Sequence, residues 1–468
     1  MSNSKIADDE SPLAQPELPA AMTTGTDLIY GLEDRPPPRE SLFAAVQHVF
    51  ACFVGIITPA LIVSEALGLE PADGAYLVSM SLFVSGVATF IQAKRIGPVG
   101  SGLLSVQGTS FAFIDPIITT GAAVIATGGT SQAALGTILG LCFCGSFIEI
   151  ILSPFIRLAS QVVTPLVMGI VVTLIGLTLI TVGLTSMGGG FAARAAGTFG
   201  NPQYLMLAGL VLAIIVVLNN LGSAFLRMSS VAIALVSGYL VAMPMGLVDF
   251  TGLENSSLVN VPMPFRYGFG FDAAAFIPFA ILYVMTTIGS AGDLTATSLL
   301  SGQPITGPKY FDRIRGGILG DGINSAIAAV FNTFPNTTFS QNNGVIQLTG
   351  VGSRYVGYFI AGILTLLGIL PIVAGIFQTI PQPVLGGATI MMFGSVAVAG
   401  IKILSSVHLN QRSSIIMATS LGLGLGVSLV PDVLAQLPPL IKSIFSSGIS
   451  TGGLTALLLN IVLPGSRE

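Results

Sequence analysis

Charged residues are scarce in this sequence and make up only 8% of its 468 positions. Soluble domains carry about 25% charged residues. Because 52% of the residues are hydrophobic and the mean hydropathy is +0.87, the composition excludes an ordinary soluble protein. The sequence therefore predicts an all-α polytopic membrane protein whose helices contact membrane lipid.

Tryptophan is absent, and the chain has only three cysteines and two histidines. Cys52, Cys142 and Cys144 lie in apolar runs, without metal-ligand spacing to either histidine. We therefore expect buried thiols and predict no disulfide, no metal and no cofactor. The net charge of −4 argues against a nucleic-acid partner, which would require a basic surface.

The N-terminal residues 1–40 are polar, acidic and rich in proline, and they lack the apolar run of a signal peptide. This composition predicts a disordered cytoplasmic tail. The last part of the tail, residues 28–37, is expected to pack against the membrane-embedded body.

Apolar runs recur along the rest of the chain, and a membrane-spanning helix needs about 20 apolar residues. They predict about fourteen spans, including two interrupted ones. The predicted spans are 41–63, 74–93, 98–117, 132–155, 164–184, 203–222, 228–247, 274–298, 314–332, 336–350, 356–378, 383–401, 412–430 and 448–464. Segment 433–446 is predicted to be amphipathic and to lie at the membrane interface.

The positions of lysine and arginine support this number. With the N-terminus in the cytoplasm, 14 of the 17 basic residues fall on the cytoplasmic side, as the positive-inside rule requires. Only Arg194, Arg266 and Lys442 fall on the other side. An even number of spans, with both termini cytoplasmic, follows.

Two of the predicted spans are interrupted by glycine, proline and polar residues. The third contains residues 97–113, and the tenth contains Ser340, Gln341 and Asn342 shortly before Gly344. If fourteen spans form two repeats of seven, the repeats are inverted, and these segments meet near the middle of the membrane. We expect short extended pieces there, the first at residues 103–106, each followed by a half-helix whose N-terminus faces a ligand. A polar loop outside the membrane is the alternative.

Five ionisable residues lie within predicted spans or next to them, where they are costly and suggest function. Coupling to an ion and structural bracing remain equal alternatives for most of them, whereas Glu149 is expected to be structural and Asp115 to cap a turn. The set consists of His48, Asp115, Glu149, Asp293 and Asp321. No catalytic motif or ATP-binding motif is present, so we predict a transporter driven by an ion gradient rather than an enzyme.

Residues 341–350, Gln-Asn-Asn-Gly-Val-Ile-Gln-Leu-Thr-Gly, resemble the signature of the nucleobase–ascorbate transporter family. Residues 351–357 resemble its bacterial xanthine permeases. Further colinear matches extend the resemblance over nearly the whole chain. They are residues 32–37, 57–62, 100–105, 188–191, 198–200 and 452–456.

The resemblance implies fourteen spans in two inverted repeats of seven, forming a core and a gate domain in a homodimer. The core would contain residues 41–157 and 274–380, and the gate residues 158–250 and 381–464. The implied function is transport of a purine nucleobase, xanthine or urate, across the inner membrane. Symport with protons and an elevator-type movement of the core are implied as well.

The resemblance also implies roles for individual residues. Gln341 would hydrogen-bond the edge of the base, and Asn342 would support the site. Ser340 and Phe111 would contact the ring through their backbone, and Phe111 would also stack on it. A further set would serve proton coupling or hold the core together, namely His48, Asp293 and Asp321.

One position departs from the family pattern. Gly289 stands where the family carries a glutamate, four residues before Asp293. We hypothesise that Asp115, about one turn beyond Phe111, partly replaces the missing acid. The departure leaves two alternatives to proton symport, namely an uncoupled facilitator or exchanger and a non-transporting receptor.

Overall fold

The computed structural model describes residues 28–156, 164–221, 224–248, 261–305, 307–405, 407–438, 441, 445 and 447–464. The predictions for residues 1–27 and for parts of segment 433–446 lie outside the described residues. Within the described ranges the chain is helical apart from one short pair of strands and the connecting loops.

The described part of the first half of the chain contains eight α-helices and one strand. They are α1 (Pro38–Ala66), α2 (Pro71–Lys94), β1 (Gln107–Thr109), α3 (Ile114–Ala126), α4 (Ser131–Leu152), α5 (Pro165–Met187), α6 (Gly190–Ala195), α7 (Pro202–Asn220) and α8 (Ala224–Ala242). Proline occupies the first turn of α1, α2, α5 and α7, where its missing N–H has no helical partner to lose.

The described part of the second half repeats this order. It contains α9 (Ala273–Leu300), α10 (Gly307–Val330), β2 (Asn336–Thr338), α11 (Gln341–Thr349), α12 (Arg354–Ile369), α13 (Pro371–Gln378), α14 (Gln382–Ser405), α15 (Gln411–Leu429) and α16 (Gly448–Val462). In both halves a three-residue strand precedes a short helix, as expected for the third and tenth spans.

Eight of the described helices are long and apolar enough to cross a membrane, and α12 with α13 would make a ninth span. The other predicted spans coincide with shorter helices or with α10, whose first third is charged. A multi-pass, all-α membrane protein is therefore confirmed. The number of fourteen spans stays a prediction.

The predicted continuous span 356–378 is wrong in one respect. The chain bends by 74° between α12 and α13, at Leu370 and Pro371. Proline lacks the N–H that would continue the helix, and it disfavours helical geometry at the residue before it. The result is a broken helix rather than a straight one.

The extended piece predicted at residues 103–106 lies slightly later, in β1. β1 pairs antiparallel with β2, with Gln107 opposite Thr338 and Gly108 opposite Thr337. The position of the strand is therefore decided by its partner from the second half, a contact that local sequence cannot reveal. A Cβ on Gly108 would lie 2.4 Å from the ring of Phe339, so this close crossing requires glycine.

The helices fall into two packing groups. In one, α1 and α2 pack against α12, and α4 packs against α9 and α10. In the other, α14 packs against α5 and α7, and α15 packs against α16. The groups follow the residue ranges expected for the core and the gate, but the assignment of these domains remains a prediction.

The segment of residues 28–37 packs against the body, as expected from the sequence. Ile29 N and Tyr30 N donate to the carbonyl of Gly350 at 2.8 and 3.2 Å, and Gly352 N donates back to Tyr30 O at 2.9 Å. This segment is therefore fastened directly to the C-terminal end of α11.

Candidate substrate-binding cavity

A cavity of about 160 Å³ lies where the two interrupted segments meet. Ser110 and Phe111, which precede α3, and Ser340 and Gln341, at the start of α11, form one side of it. The starts of two short helices therefore border the same space, and the positive end of a helix dipole favours a ligand with acceptor atoms.

Aromatic rings form the walls beside these helix starts. Phe111 and Phe339 are nearly parallel, with ring centroids 6.4 Å apart and an angle of 21° between the planes. Phe393 is fully buried and does not line the cavity, but it supports Phe111 edge-on, with ring centroids 5.4 Å apart. The faces of aromatic rings are suited to contact with a flat, polarisable ligand.

Asp293 supplies the carboxylate that lines the cavity. Its Oδ1 accepts from Ser340 Oγ at 2.6 Å, and its Oδ2 accepts from Thr338 Oγ1 at 3.2 Å. These bonds connect α9 with β2 and with the start of α11. Asp293 therefore both borders the ligand space and fixes the residues that form it.

The two amides that open α11 have different positions. Gln341 is exposed and lines the cavity, whereas Asn342 is only 1% exposed. Asn342 Nδ2 donates to the carbonyl of Leu104 at 2.6 Å, a contact between the two interrupted segments. Gln341 is thus available to a ligand, and Asn342 holds the site together.

Two of the predicted coupling residues lie behind the cavity and do not line it. His48 on α1 is fully buried, and the side chain of Asn342 lies against it. Asp321 on α10 is 1% exposed, and its Oδ1 accepts from Gln92 Nε2 at 2.7 Å. Gln92 also donates to the carbonyl of Gly317, so this contact braces α2 against α10.

Asp115 is not among the residues that line the cavity, and the hypothesis that it partly replaces the acid missing at Gly289 stays a prediction. Its carboxylate lies near Ser447 instead. Four-residue spacing places side chains on one face only in a continuous α-helix. Here residues 111–113 form a 3₁₀ turn, so α-helical spacing does not hold between Phe111 and Asp115.

Sequence motifs missed the opposite wall of the cavity. Val167, Met168 and Val171 from α5, with Val396 from α14, form an apolar surface facing α9. These residues belong to ordinary apolar spans and carry no local signal. Only their packing against the polar side identifies them as part of the site.

A family model described as a permease family matches residues 39–433. Xanthine permease XanP of Escherichia coli K12 is 49% identical over 451 residues, covering 96% of this chain and 97% of its own length. The E. coli K12 xanthine permease XanQ is 46% identical, covering 94% and 95%. The chain belongs to the nucleobase–ascorbate transporter family.

More distant proteins extend the comparison. The xanthine permease of Bacillus subtilis is 35% identical, covering 90% of this chain and 93% of its own length. The transmembrane domain of the cyanobacterial bicarbonate transporter BicA matches with a TM-score of 0.57 at 15% identity, covering 86% of this chain and 96% of that domain. SLC26A9 matches with a TM-score of 0.62 at 12% identity, covering 92% and 67%. These two structures share the fold of this chain. The family model and the xanthine permeases show that the chain is a permease rather than an enzyme.

Gly289 is the position at which a departure from the family pattern is expected from the sequence. It lines the cavity one turn before Asp293, and a Cβ added to it would meet no atom within 4 Å. Packing therefore does not require glycine at this position, and the missing side chain leaves open space in the cavity.

Proposed function

We propose that this permease transports a purine nucleobase, xanthine or urate, across the inner membrane. The observation that carries the proposal is the exposed amide of Gln341, placed beside the nearly parallel rings of Phe111 and Phe339. The names of the relatives, which are xanthine permeases, support the same substrate class.

The chemistry of the cavity suits a purine. A glutamine amide offers one acceptor and two donors, which match the mixed edges of an oxopurine. The helix N-termini at Ser110 and Ser340 favour the carbonyl oxygens of the ring, and Asp293 provides an acceptor for ring N–H groups. The cavity volume of about 160 Å³ suits a small bicyclic ligand rather than a nucleotide.

We also propose an elevator-type mechanism. The polar side of the cavity comes from α9, α11 and the start of α3, and the apolar side comes from α5 and α14. A ligand held on the polar side can move with that group while it slides along the smooth apolar wall. Cytoplasmic termini and a homodimer belong to the same proposal.

We propose that transport is coupled to symport of protons, so that the proton gradient supplies the energy. One proton moving through 100 mV supplies about 2.3 kcal/mol, or about fifty-fold accumulation. Gly289 favours a second candidate, an uncoupled facilitator or exchanger, because it removes a carboxylate from the ligand space.

Uptake of labelled xanthine into proteoliposomes with an imposed proton gradient tests the proposal. We expect accumulation that collapses when a protonophore is added, and competition by urate but not by pyrimidines. Equilibration of xanthine across the membrane that is unaffected by the protonophore would indicate an uncoupled facilitator. Binding of xanthine without any uptake would indicate a non-transporting receptor, and no binding at all would overturn the proposed substrate class.

A further inference from the structure

A second carboxylate lies directly behind the cavity wall. Glu149 on α4 is 1% exposed, and its Oε1 accepts from Thr286 Oγ1 at 2.9 Å. Thr286 itself lines the cavity. A single hydroxyl group therefore separates this buried acid from the ligand space.

Thr286 and Gly289 stand on the same face of α9. They are three residues apart, both line the cavity, and side chains at this spacing are neighbours on a helix surface. Because Gly289 has no side chain and open space above it, nothing on that face shields Thr286 from the ligand space. The residue whose hydroxyl bonds Glu149 therefore borders the same cavity as the open space at Gly289.

Glu149 lacks a neutralising partner. The ion pairs found among the described residues are Arg95–Asp312, Arg266–Asp73 and Arg354–Glu33, and none involves Glu149. Its Oε2 is buried and has no hydrogen-bond partner within the described part of the chain. An ionised carboxylate in this position is strongly disfavoured by the loss of water.

The titratable groups that face Glu149 from neighbouring helices do not stabilise its ionised form. Asp321 on α10 is close enough to interact electrostatically, and its Oδ2 also lacks a partner among the described residues. Tyr283 on α9 donates its hydroxyl to the carbonyl of Cys142 at 2.7 Å, so it does not compensate the charge. Two adjacent buried carboxylates without a cation repel each other when both are ionised.

The close approach of α10 to α4 fixes this pair. A Cβ on Gly322 would lie 2.9 Å from Ile150 N and 3.1 Å from Glu149 Cβ, so only glycine permits the contact. Asp321, the neighbouring residue, is held by Gln92 on the other side. The two acids therefore meet at a rigid junction of α4, α9 and α10, not in a flexible loop.

We propose that Glu149 is the proton-carrying residue of this permease and that Thr286 connects it to the ligand site. Glu149 takes up one proton on the outward-facing side, which removes its own charge while the junction moves past the apolar wall. It releases the proton to the cytoplasmic side and becomes an anion again. The Thr286 hydroxyl donates to the ionised form, and when Glu149 is protonated it can donate to the Tyr283 carbonyl, 3.2 Å away, or to the ligand. This inference rests on the proposed purine transport.

Glu149→Gln tests the inference in proteoliposomes, because it keeps the shape and a hydrogen-bond acceptor but cannot titrate. We expect exchange of internal for external xanthine to continue, since exchange requires no net proton movement. Accumulation driven by a pH gradient is expected to fall to equilibrium, a loss of up to about fifty-fold per 100 mV. The matched control Glu70→Gln changes an exposed glutamate at the start of α2 and is expected to leave both activities unchanged.

Two further variants separate coupling from structure. Thr286→Val removes the hydroxyl and is expected to shift the pH profile of uptake, whereas Thr286→Ser retains the hydroxyl and the wild-type profile. Gly289→Glu in the Glu149→Gln background returns an acid to the open space on α9. We expect it to restore part of the gradient-driven accumulation.

Proton-driven accumulation by Glu149→Gln at the wild-type level would overturn the inference. If Glu149→Gln fails to fold, the comparison of Thr286→Val with Thr286→Ser provides the test. An unchanged pH profile of uptake in Thr286→Val would then overturn the inference. Wild-type xanthine transport that ignores the proton gradient would reject a proton carrier while leaving purine transport intact. Absence of xanthine binding by the wild type would instead reject the proposed function itself.

Discussion

At the scale of single residues, neighbouring side chains of the same type occupy different environments. Gln341 and Asn342 are adjacent amides, yet one is exposed in the cavity and the other is buried against Leu104. At the start of a helix, successive side chains point about 100° apart, so one can face the ligand while the next faces the protein. The signature sequence predicted that both amides belong to the site, and the structure shows which is exposed and which is buried.

Gln341→Ala is expected to weaken xanthine binding by about 1–3 kcal/mol, or roughly five- to 150-fold, because the ligand loses its amide partner. The measurement is the KM for uptake together with the Kd in detergent. Gln347→Ala provides the matched control, since Gln347 is an exposed amide on the same helix that does not line the cavity. Equal affinity in Gln341→Ala and wild type would contradict the assigned role.

At the scale of elements, the crossing of β1 and β2 sets the geometry of the site. Three residue pairs join the strands, and Phe339 N donates to Val106 O at 3.0 Å beside them. The crossing satisfies backbone groups that have no helical partners, as burial in a membrane protein requires. Both half-helices start from this junction, so their N-termini converge.

Gly108→Ala is expected to destabilise the protein by about 1–3 kcal/mol, because the new methyl group overlaps the Phe339 ring. A lower melting temperature in detergent would reveal this loss. Gly344→Ala adds the same methyl group on α11, where no atom lies within 4 Å. It is expected to be neutral or slightly stabilising, and similar melting temperatures for the two variants would disprove the steric argument.

At the scale of the whole molecule, contacts between the two halves of the chain fasten the helices at both ends. At one end, residues 28–37 pair with the chain after α11. At the other, Asp73 accepts from Arg266 at 3.1 Å, from Tyr267 at 2.7 Å and from Gln132 at 3.1 Å. Burial and the neighbouring carboxylate raise the pKa of Tyr267, so the phenol remains a donor throughout the neutral range.

Arg266→Met is expected to lower the free energy of unfolding by about 1–3 kcal/mol, because the nearly buried Asp73 loses its cationic partner. Thermal unfolding in detergent measures the change. Arg194→Met is the control. The Arg194 guanidinium lies 4.5 Å from the centre of the Phe199 ring, and we expect its loss to lower the free energy of unfolding by no more than about 1 kcal/mol. If both variants lost the same free energy of unfolding, the ion pair of Arg266 with Asp73 would contribute no extra stability.

The sequence by itself determined the features that depend on composition and local pattern. Low charge and long apolar runs identified a multi-pass helical protein, and the amide-rich segment at Gln341 identified the family. Glycine and proline located the two interrupted spans, because each disfavours a continuous helix wherever it stands.

Only the tertiary structure decided which residues share the cavity. It moved the expected strand to Gln107–Thr109, excluded Asp115 from the lining and brought Glu149 to the back of the cavity wall. These positions depend on how helices distant in sequence pack, and packing acts through shape and burial rather than local pattern. Gly289 illustrates the division, since the sequence showed that a side chain is missing there and the structure showed the open space that its absence leaves.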